Sequence, residues 1–201
     1  MHAGGERSPV WYTLAEVALM ASTRTGLTYD DLREMPDDGR RYEVLEGDLA
    51  VSPAPSWTHQ RIVARLFKLL QRAEDAGCGV AATAPVDVVL SAATVVQPDL
   101  LFISRDRAAI ITHENVQGAP DLVVEVLSET TRRRDLGPKL RLYARHGVRW
   151  YWAVDPDEQA VRVYTLEEGP YGEPNFVRTG NTLTCPLFPA VRVEVDEMFA
   201  G

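Results

Sequence analysis

The chain has 201 residues, 45% hydrophobic and 25% charged, which is the mixture of an ordinary globular protein long enough to bury a full core. This composition excludes a wholly disordered chain, a collagen and a coiled coil, and no apolar run approaches the ~20 residues that span a bilayer. The net charge of −8 argues against a protein that coats nucleic acid by bulk attraction.

The cysteines and the N-terminus bear on the cellular compartment. Cys78 and Cys185 are too few for a disulfide scaffold or a four-thiolate zinc site, and they suit a reducing cytoplasm. Glu16 interrupts the apolar residues near the N-terminus, so the sequence shows no secretion signal. We therefore expect a cytoplasmic protein that does not associate with membranes.

Hydrophobic periodicity predicts one domain after a lead-in. Residues 1–26 are small, polar and weakly periodic, which predicts a flexible or partly helical lead-in to a domain over residues 27–201. In chain order, the patterns predict a helix over 28–35, a hairpin over 41–51, a helix over 57–76, strands over 86–90, 95–103 and 121–127, a helix over 138–146, strands over 150–154 and 161–166, edge strands near 176, 183 and 191–195, and a last helix near 198.

The order of these elements predicts the fold class. Helices alternate with groups of strands, which is typical of an α/β or α+β domain with a mixed central sheet flanked by helices. Ser56 or Thr58 is the expected N-cap of the clearest helix, and Gly77 its expected stop. Pro138 is expected in the first turn of the later helix.

Basic residues concentrate in two windows although the chain is acidic. Residues 132–149 hold seven cations and one acid, and residues 61–72 hold four cations and no acid. A locally basic face is compatible with a phosphate-bearing substrate, but arginines on a helix also commonly form an ordinary solvated face.

Two predicted strands each offer one carboxylate. Asp99 opens a strand in the run 97–103, and Glu125 lies inside the apolar run 122–127. A buried carboxylate is costly unless it is paired, hydrogen-bonded or bound to a metal. If the strands are neighbours, the two groups lie ~5 Å apart, which suits a hard divalent cation such as Mg²⁺ or Mn²⁺. The backbone carbonyl of Val126 is a candidate third oxygen ligand.

Lys139 and Glu43 are further candidates for this site. Lys139 lies one step from the buried stripe of its predicted helix, so its long stem can reach back over the sheet edge. A lysine there polarises water or neutralises charge that develops on phosphorus. Glu43 lies in the predicted hairpin, where it either joins the site or pairs with a neighbouring arginine such as Arg40 or Arg41.

Three other polar residues have weaker signals. His59 falls in line with the apolar stripe of its helix and so faces inward, either as a satisfied core histidine or beside the site. Gln97 lies two residues before Asp99 and is a candidate for a supporting role beside the site. Asp121 shares a strand face with Glu125, but its place at the strand mouth favours a turn residue over a ligand.

Together these segments resemble the PD-(D/E)XK nuclease superfamily and, more closely, its bacterial Uma-two family of endonucleases. The matching segments are LTYDDL at 27–32, RYEVLEG at 41–47, His59 with Ile62, QPDL at 97–100, PDLVVEVLS at 120–128, KLRLY at 139–143 and YWAVDP at 151–156. The resemblance implies a restriction-endonuclease-like fold and Asp99 and Glu125 as ligands of Mg²⁺ or Mn²⁺. Leu127 stands where the short superfamily motif has lysine, and Lys139 matches the lysine that replaces it in this branch.

Two functions follow from the residues and the resemblance. The first is a metal-dependent endonuclease that hydrolyses phosphodiester bonds of DNA; the second is a nuclease-like fold that only binds nucleic acid or a protein partner. The retained acids and lysine favour the first function, while the acidic net charge favours the second. The β-rich edges also suggest a homodimer, which many nucleases of this fold use to cut two strands.

Overall fold

Two sheets and the helices around them make up most of residues 26–200, the part of the chain that the computed structural model describes. The helices are α1 (Tyr29–Arg33), α2 (Trp57–Asp75), α3 (Arg132–Arg134), α4 (Leu140–Arg145) and α5 (Val195–Phe199). The strands are β1 (Arg41–Leu45), β2 (Asp48–Ser52), β3 (Gly79–Thr83), β4 (Val88–Ser91), β5 (Thr94–Val96), β6 (Leu100–Ser104), β7 (Val116–Gln117), β8 (Leu122–Val126), β9 (Trp150–Asp155), β10 (Ala160–Thr165), β11 (Asn175–Arg178), β12 (Thr182–Leu183) and β13 (Val193–Glu194).

The strands of the described residues form a six-stranded sheet in the order β11-β10-β9-β8-β6-β3, a five-stranded sheet in the order β2-β1-β5-β4-β7 and the small pair β12-β13. In the larger sheet β8 and β9 are parallel and the other neighbours antiparallel. Every residue of β8 is buried, as expected for a strand covered on both faces. These mixed sheets flanked by helices confirm the predicted α+β class.

Helix α2 packs along the larger sheet and starts beside the candidate site. Ser56 is its N-cap, since its side chain accepts a hydrogen bond from the backbone N–H of His59. The buried stripe of the helix, which includes Leu66 and Leu70, joins the core formed with β6 and β8. The chain leaves the helix at Gly77, whose positive φ of 72° favours glycine.

The apolar run over residues 95–103 forms two strands, not the single strand that its composition predicts. β5 belongs to the five-stranded sheet and β6 to the six-stranded sheet, and Gln97-Pro98-Asp99 crosses from one to the other. Pro98 has no N–H to donate, so it interrupts a strand ladder at this position. As a result, Asp99 lies at the junction of the two sheets.

The basic helix also starts earlier than its sequence predicts. It begins at Arg132, and Pro138 lies inside a π-helical turn, Asp135–Lys139, which joins α3 to α4, and not in a first turn. Proline lacks the N–H that a regular α-helical ladder needs, and a local widening of the helix removes that requirement. Strand β3 was not predicted at all, because its residues are small and weakly β-forming.

The predicted boundary of the lead-in stays a prediction, since all of residues 1–26 except the last lie outside the described residues. Within residues 26–200, every helix is too short or too polar to cross a bilayer.

The basic helix is tied to the end of β9 by a buried acid. Asp155 is fully buried, and its carboxylate accepts hydrogen bonds from Arg132 at 2.6 and 2.8 Å and lies 3.1 Å from the guanidinium of Arg162. Arg132 also contacts Asp157, whose side chain is 86% exposed. Asp155 therefore fixes the start of the basic segment against the larger sheet.

We expect Asp155→Asn to lower the melting temperature by about 5 °C, because it removes the charge that balances two arginines in a buried position. Asp157→Asn is the matched control; its exposed pairing should be worth too little to move the melting temperature by more than about 1 °C. Calorimetric melting of both variants checks this, and equal melting temperatures would show that Asp155 does not anchor the helix.

Candidate active site

Strand register brings the two candidate carboxylates to the same place. Leu100 of β6 pairs with Val124 of β8 in an antiparallel ladder, so the next position on each strand sets Asp99 opposite Glu125. The backbone N–H of Val126 donates to Asp99 Oδ2 at 2.8 Å. Both carboxylates are buried, and both line one cleft of about 780 Å³ between the sheets and the basic helix.

Asp99 is held by two side chains from other elements. Arg41 of β1 donates to Oδ1 at 2.8 Å, and His59 Nε2 of α2 lies 3.0 Å from Oδ2. Burial alone would raise the pKa of Asp99, but the hydrogen bond with His59 and the charge of Arg41 lower it to about 2. Asp99 is therefore ionised across the physiological range. His59 faces inward as predicted, and it does so to contact Asp99.

Lys139 connects the second carboxylate to a third acid. Its ammonium lies 2.6 Å from Glu125 Oε1 and 2.8 Å from Glu43 Oε1, and all three side chains are buried. Burial would lower the pKa of Lys139, but the two carboxylates raise it above its ordinary value, so the ammonium stays charged. The Tyr143 hydroxyl donates to Glu125 Oε1 at 2.7 Å from the next turn of the helical segment.

The ammonium of Lys139 thus contacts two carboxylates, and the pKa values of these two acids shift in opposite directions. Burial raises the pKa of Glu43, but the charge and hydrogen bond of Lys139 outweigh it and the pKa is lowered. Burial raises the pKa of Glu125 to about 8, and the charge of Asp99 adds to this rise. The charge of Lys139 lowers the pKa of Glu125 but does not outweigh these two effects. Without a bound cation, Glu125 is therefore the acid of this pair that more readily takes up a proton.

Glu43 and Gln97 support the site from behind. Glu43 does not line the cleft; it lies beneath Lys139, and Gln97 N–H donates to its Oε1 at 2.9 Å. The pairing of Glu43 with Arg40 or Arg41 that its sequence neighbours suggest does not occur, since Arg41 pairs with Asp99. The Gln97 side chain turns away to Asp87, so Gln97 acts at the site through its backbone.

Three residues near the carboxylates were missed by sequence reasoning. Arg41 shares a strand face with Glu43 by the two-residue period of β1, and that spacing was the available signal. Tyr143 lies four residues after Lys139 and so projects from the same helix face. Arg134, which lies 3.7 Å from Glu43 Oε2 and donates to Ser52, had no signal beyond the charge of its window.

Asp121 lies apart from this cluster, as expected for a residue at a strand mouth. Its carboxylate accepts hydrogen bonds from the backbone N–H of Ser104 at 2.8 Å and from Arg107 at 2.9 Å, and it does not line the cleft. Its role is to join the end of β6 to the start of β8.

Several polar atoms of the cluster lack partners inside the protein. Of the four buried side-chain polar atoms without a hydrogen bond in residues 26–200, three belong here, namely Glu43 Oε2, His59 Nδ1 and Arg134 Nε. An unpaired buried polar atom costs free energy, so the cluster favours a polar ligand. No group of three or more histidine, cysteine or acidic side chains in the described residues is preassembled around a metal position.

The donor set nevertheless suits a hard cation. Asp99 and Glu125 present carboxylate oxygens to the cleft, which are the ligands that Mg²⁺ and Mn²⁺ prefer over thiolate or imidazole nitrogen. Among residues 26–200, only Arg41 donates a hydrogen bond to Asp99 Oδ1, so one lone pair of this oxygen is available. The residues therefore fit such an ion, with Lys139 and Arg41 beside it.

Carboxylates at the junction of a mixed sheet, with a lysine from the following helix, are the arrangement that the resemblance to restriction-endonuclease-like nucleases implies. The chain belongs to the Uma2 family, described as "Putative restriction endonuclease", whose model matches residues 29–196. It shares the fold of a crystal structure described as "a putative nuclease belonging to DUF820" from Anabaena variabilis ATCC 29413, with a TM-score of 0.72, 19% identity, and coverage of 87% of this chain and 98% of that one. No curated protein matches it. The resemblance drawn from the sequence is confirmed.

The raised pKa of Glu125 leads to a prediction about the stability of the metal-free protein, measured in the presence of a chelator. Such a carboxyl has a higher pKa in the folded chain than in the unfolded chain. It stabilises the fold at pH values below the unfolded-state pKa, and this stabilisation is lost as the pH rises through the folded-state pKa. The folded value here is about 8. We expect Glu125→Gln to melt near the parent at about pH 4 and about 5 °C above it at about pH 9.

Glu129 is an exposed acid on the wall of the same cleft and provides the control. Glu129→Gln should have the melting temperature of the parent at both pH values. A sharp fall in the melting temperature of Glu125→Gln at both pH values would instead make the ionised pair with Lys139 a structural requirement.

Proposed function

We propose that this protein is a metal-dependent endonuclease that hydrolyses phosphodiester bonds of DNA. The proposal depends on one observation: Asp99, directly before β6, is set opposite Glu125 of β8, both line one open cleft, and the charged Lys139 lies 2.6 Å from Glu125. Membership of a nuclease family supports the reaction class. Phosphodiester hydrolysis mainly requires positioned groups and positive charge near phosphorus, and this cluster offers both.

The metal-binding residues in this proposal are Asp99, Glu125 and the backbone carbonyl of Val126. An ion held there, Mg²⁺ or Mn²⁺, would supply a Lewis acid for the phosphate and a source of nucleophilic water near neutral pH. Asp99 is ready to bind because its pKa is lowered to about 2, whereas the raised pKa of Glu125 makes an ion there compete with a proton.

The other residues have distinct tasks in this proposal. Lys139 stabilises negative charge on the phosphate; it is not a general base, because its raised pKa keeps it protonated. Glu43 is a positioning residue that holds the ammonium from beneath. Arg41 and His59 hold the Asp99 carboxylate on opposite oxygens, and Arg41 also balances its charge when no ion is present.

One arginine of the cleft supports a phosphate-bearing substrate. The three arginines at the start of the basic helix all line the cleft. Arg132 and Arg134 are engaged with acids, whereas Arg133 is exposed and has no ion pair among the described residues. Arg133 is therefore available to contact a backbone phosphate.

A nuclease-fold module that binds nucleic acid without cutting it is the second candidate. It is favoured by the direct pairing of Asp99 with Arg41 and of Glu125 with Lys139, which neutralises the acids without any ion. Plasmid nicking with Mg²⁺, with Mn²⁺ and with chelator separates the two functions. Cleavage that requires the ion and is lost in Asp99→Asn supports the nuclease; binding without cleavage under every condition supports the module.

Metal affinity gives a more direct measurement. We expect Mn²⁺ to bind the parent in calorimetry and to bind Asp99→Ala at least about tenfold more weakly, because a charged oxygen ligand is lost. We expect Mg²⁺ or Mn²⁺ to be preferred over Zn²⁺, since the candidate ligands are oxygens and include no thiolate. Asp75→Ala, an exposed acid on α2, is the matched control and should bind as the parent does. Parental Mn²⁺ affinity in Asp99→Ala would remove Asp99 from the site.

The charge of Lys139 is tested by Lys139→Met, which keeps most of the buried stem. We expect cleavage to fall by about a hundredfold or more, because a preorganised charge near the phosphate is lost, while metal affinity changes little. Lys68→Met, at an exposed position of α2, controls for the loss of one positive charge. A parental cleavage rate in Lys139→Met, with an unchanged melting temperature, would assign this task to another group.

A further inference from the structure

An unusually exposed aromatic side chain lies at the start of helix α2. Trp57 is 80% exposed, whereas the other exposed large hydrophobic residues of the described chain reach at most 47%. Tryptophan is rarely left so open in a monomer, because its large apolar surface gains free energy from burial. The exposed indole ring therefore indicates a surface that a ligand or partner covers.

A cation accompanies the indole ring. The guanidinium of Arg61, one helical turn later, lies 5.9 Å from the centre of the Trp57 ring. Arg61 is exposed and forms no ion pair with an acid of the described residues. The pair thus offers an aromatic face and an uncompensated positive charge side by side.

The position of Trp57 links it to the candidate active site. Trp57 and Arg61 line a hollow of about 280 Å³, which also includes Thr58 and Pro156. Thr58 and Pro156 also line the cleft that contains Asp99, so the hollow adjoins that cleft. A strand that lies in the cleft can extend into the hollow without leaving the protein surface.

We propose that Trp57 is a stacking platform for an unpaired base of the nucleic-acid substrate, with Arg61 contacting the adjoining phosphate. The inference rests on the proposed function and names its substrate class more closely: a single-stranded stretch next to the cleavage site. Proteins that hold single strands combine aromatic faces with cationic grooves, and every base can stack because every base has a π face. A base pair inside a duplex has no free face to offer.

A second copy of the chain fits these features less well. Arg61 and Arg65 line the hollow together with no acid of the described residues, and this positive charge repels an identical surface but attracts a phosphate backbone. A symmetric dimer across Trp57 would bring these cations together. The occupant with complementary charge is nucleic acid.

Fluorescence titration in chelator, where cleavage stops, tests the platform. We expect a thymidine oligonucleotide to quench the emission of the parent and to bind Trp57→Ala about tenfold more weakly, with most of the affinity restored in Trp57→Phe. A labelled oligonucleotide measured by anisotropy gives the affinities of all variants on one scale. A blunt duplex of the same length should bind the parent and Trp57→Ala equally.

Phe176→Ala provides the matched control. Phe176 is 47% exposed and lies within 5.5 and 5.9 Å of two arginines, Arg162 and Arg178, but on the edge strand β11 and outside the cleft walls. The control should bind the oligonucleotide as the parent does. Loss of affinity in both variants would indicate a general effect of aromatic truncation and would overturn the proposal.

Two further results would overturn it. One is equal affinity of the parent and Trp57→Ala for the thymidine oligonucleotide; the other is a change from dimer to monomer in Trp57→Ala by sedimentation, which would make a second copy the occupant. If the parent nicks plasmid DNA in either case, only the proposal of a stacking platform is wrong. If no nucleic acid is bound or cut by the parent, the proposed function fails with it.

Discussion

The candidate site depends on one buried ammonium placed between two carboxylates. Lys139 is 1% exposed, and an unpaired charge at that depth would destabilise the fold by several kcal/mol. Glu43 and Glu125 prevent that penalty; Arg134 also offsets the charge of Glu43, but burial and the charge of Asp99 still raise the pKa of Glu125. The cluster therefore favours either a proton on Glu125 or a cation from solution. A group that exchanges a proton for a cation in this way is suited to metal-dependent chemistry.

The backbone positions these charges through two local irregularities. Pro98 ends β5 and sends the chain from one sheet to the other, which delivers Asp99 to the site of Glu125. The π-helical turn Asp135–Lys139 shifts the helix face so that Lys139 enters the buried region while Arg141 stays exposed. Departures from regular structure are frequent at functional sites because they re-aim a few side chains without changing the surrounding packing.

Much of this arrangement could be predicted from the chain itself. Asp99 and Glu125 were recognisable because each carboxylate is attached to a strongly apolar run, and Lys139 because it borders a buried helical stripe. The fold class followed from the order of helices and strands. These signals are local, since each depends on the periodicity of a few neighbouring residues.

The rest depends on contacts that local patterns do not specify. Glu43 and Lys139 are 96 residues apart, so nothing near Glu43 indicates that its partner is a lysine of a distant helix. The split of the run 95–103 was signalled by Pro98, but its apolar flanks favoured a single strand. The extension of the basic helix back to Arg132 depends on Asp155, which is distant in sequence and acts only in the folded chain.

The pairing of cations reconciles the acidic net charge with the proposed phosphate-bearing substrate. Arg41, Arg132 and Arg134 are already engaged with Asp99, Asp155 and Glu43, so they organise the cleft and contribute little net field. Most of the negative charge that gives −8 lies outside this cluster. In the proposed function, attraction for phosphate comes from two cations without an ion pair among the described residues, Arg133 in the cleft and Arg61 in the adjoining hollow. A site of this kind binds through short-range contacts, which salt screens less than the long-range field of a basic protein. Selectivity for the shape of the bound strand can then outweigh bulk attraction.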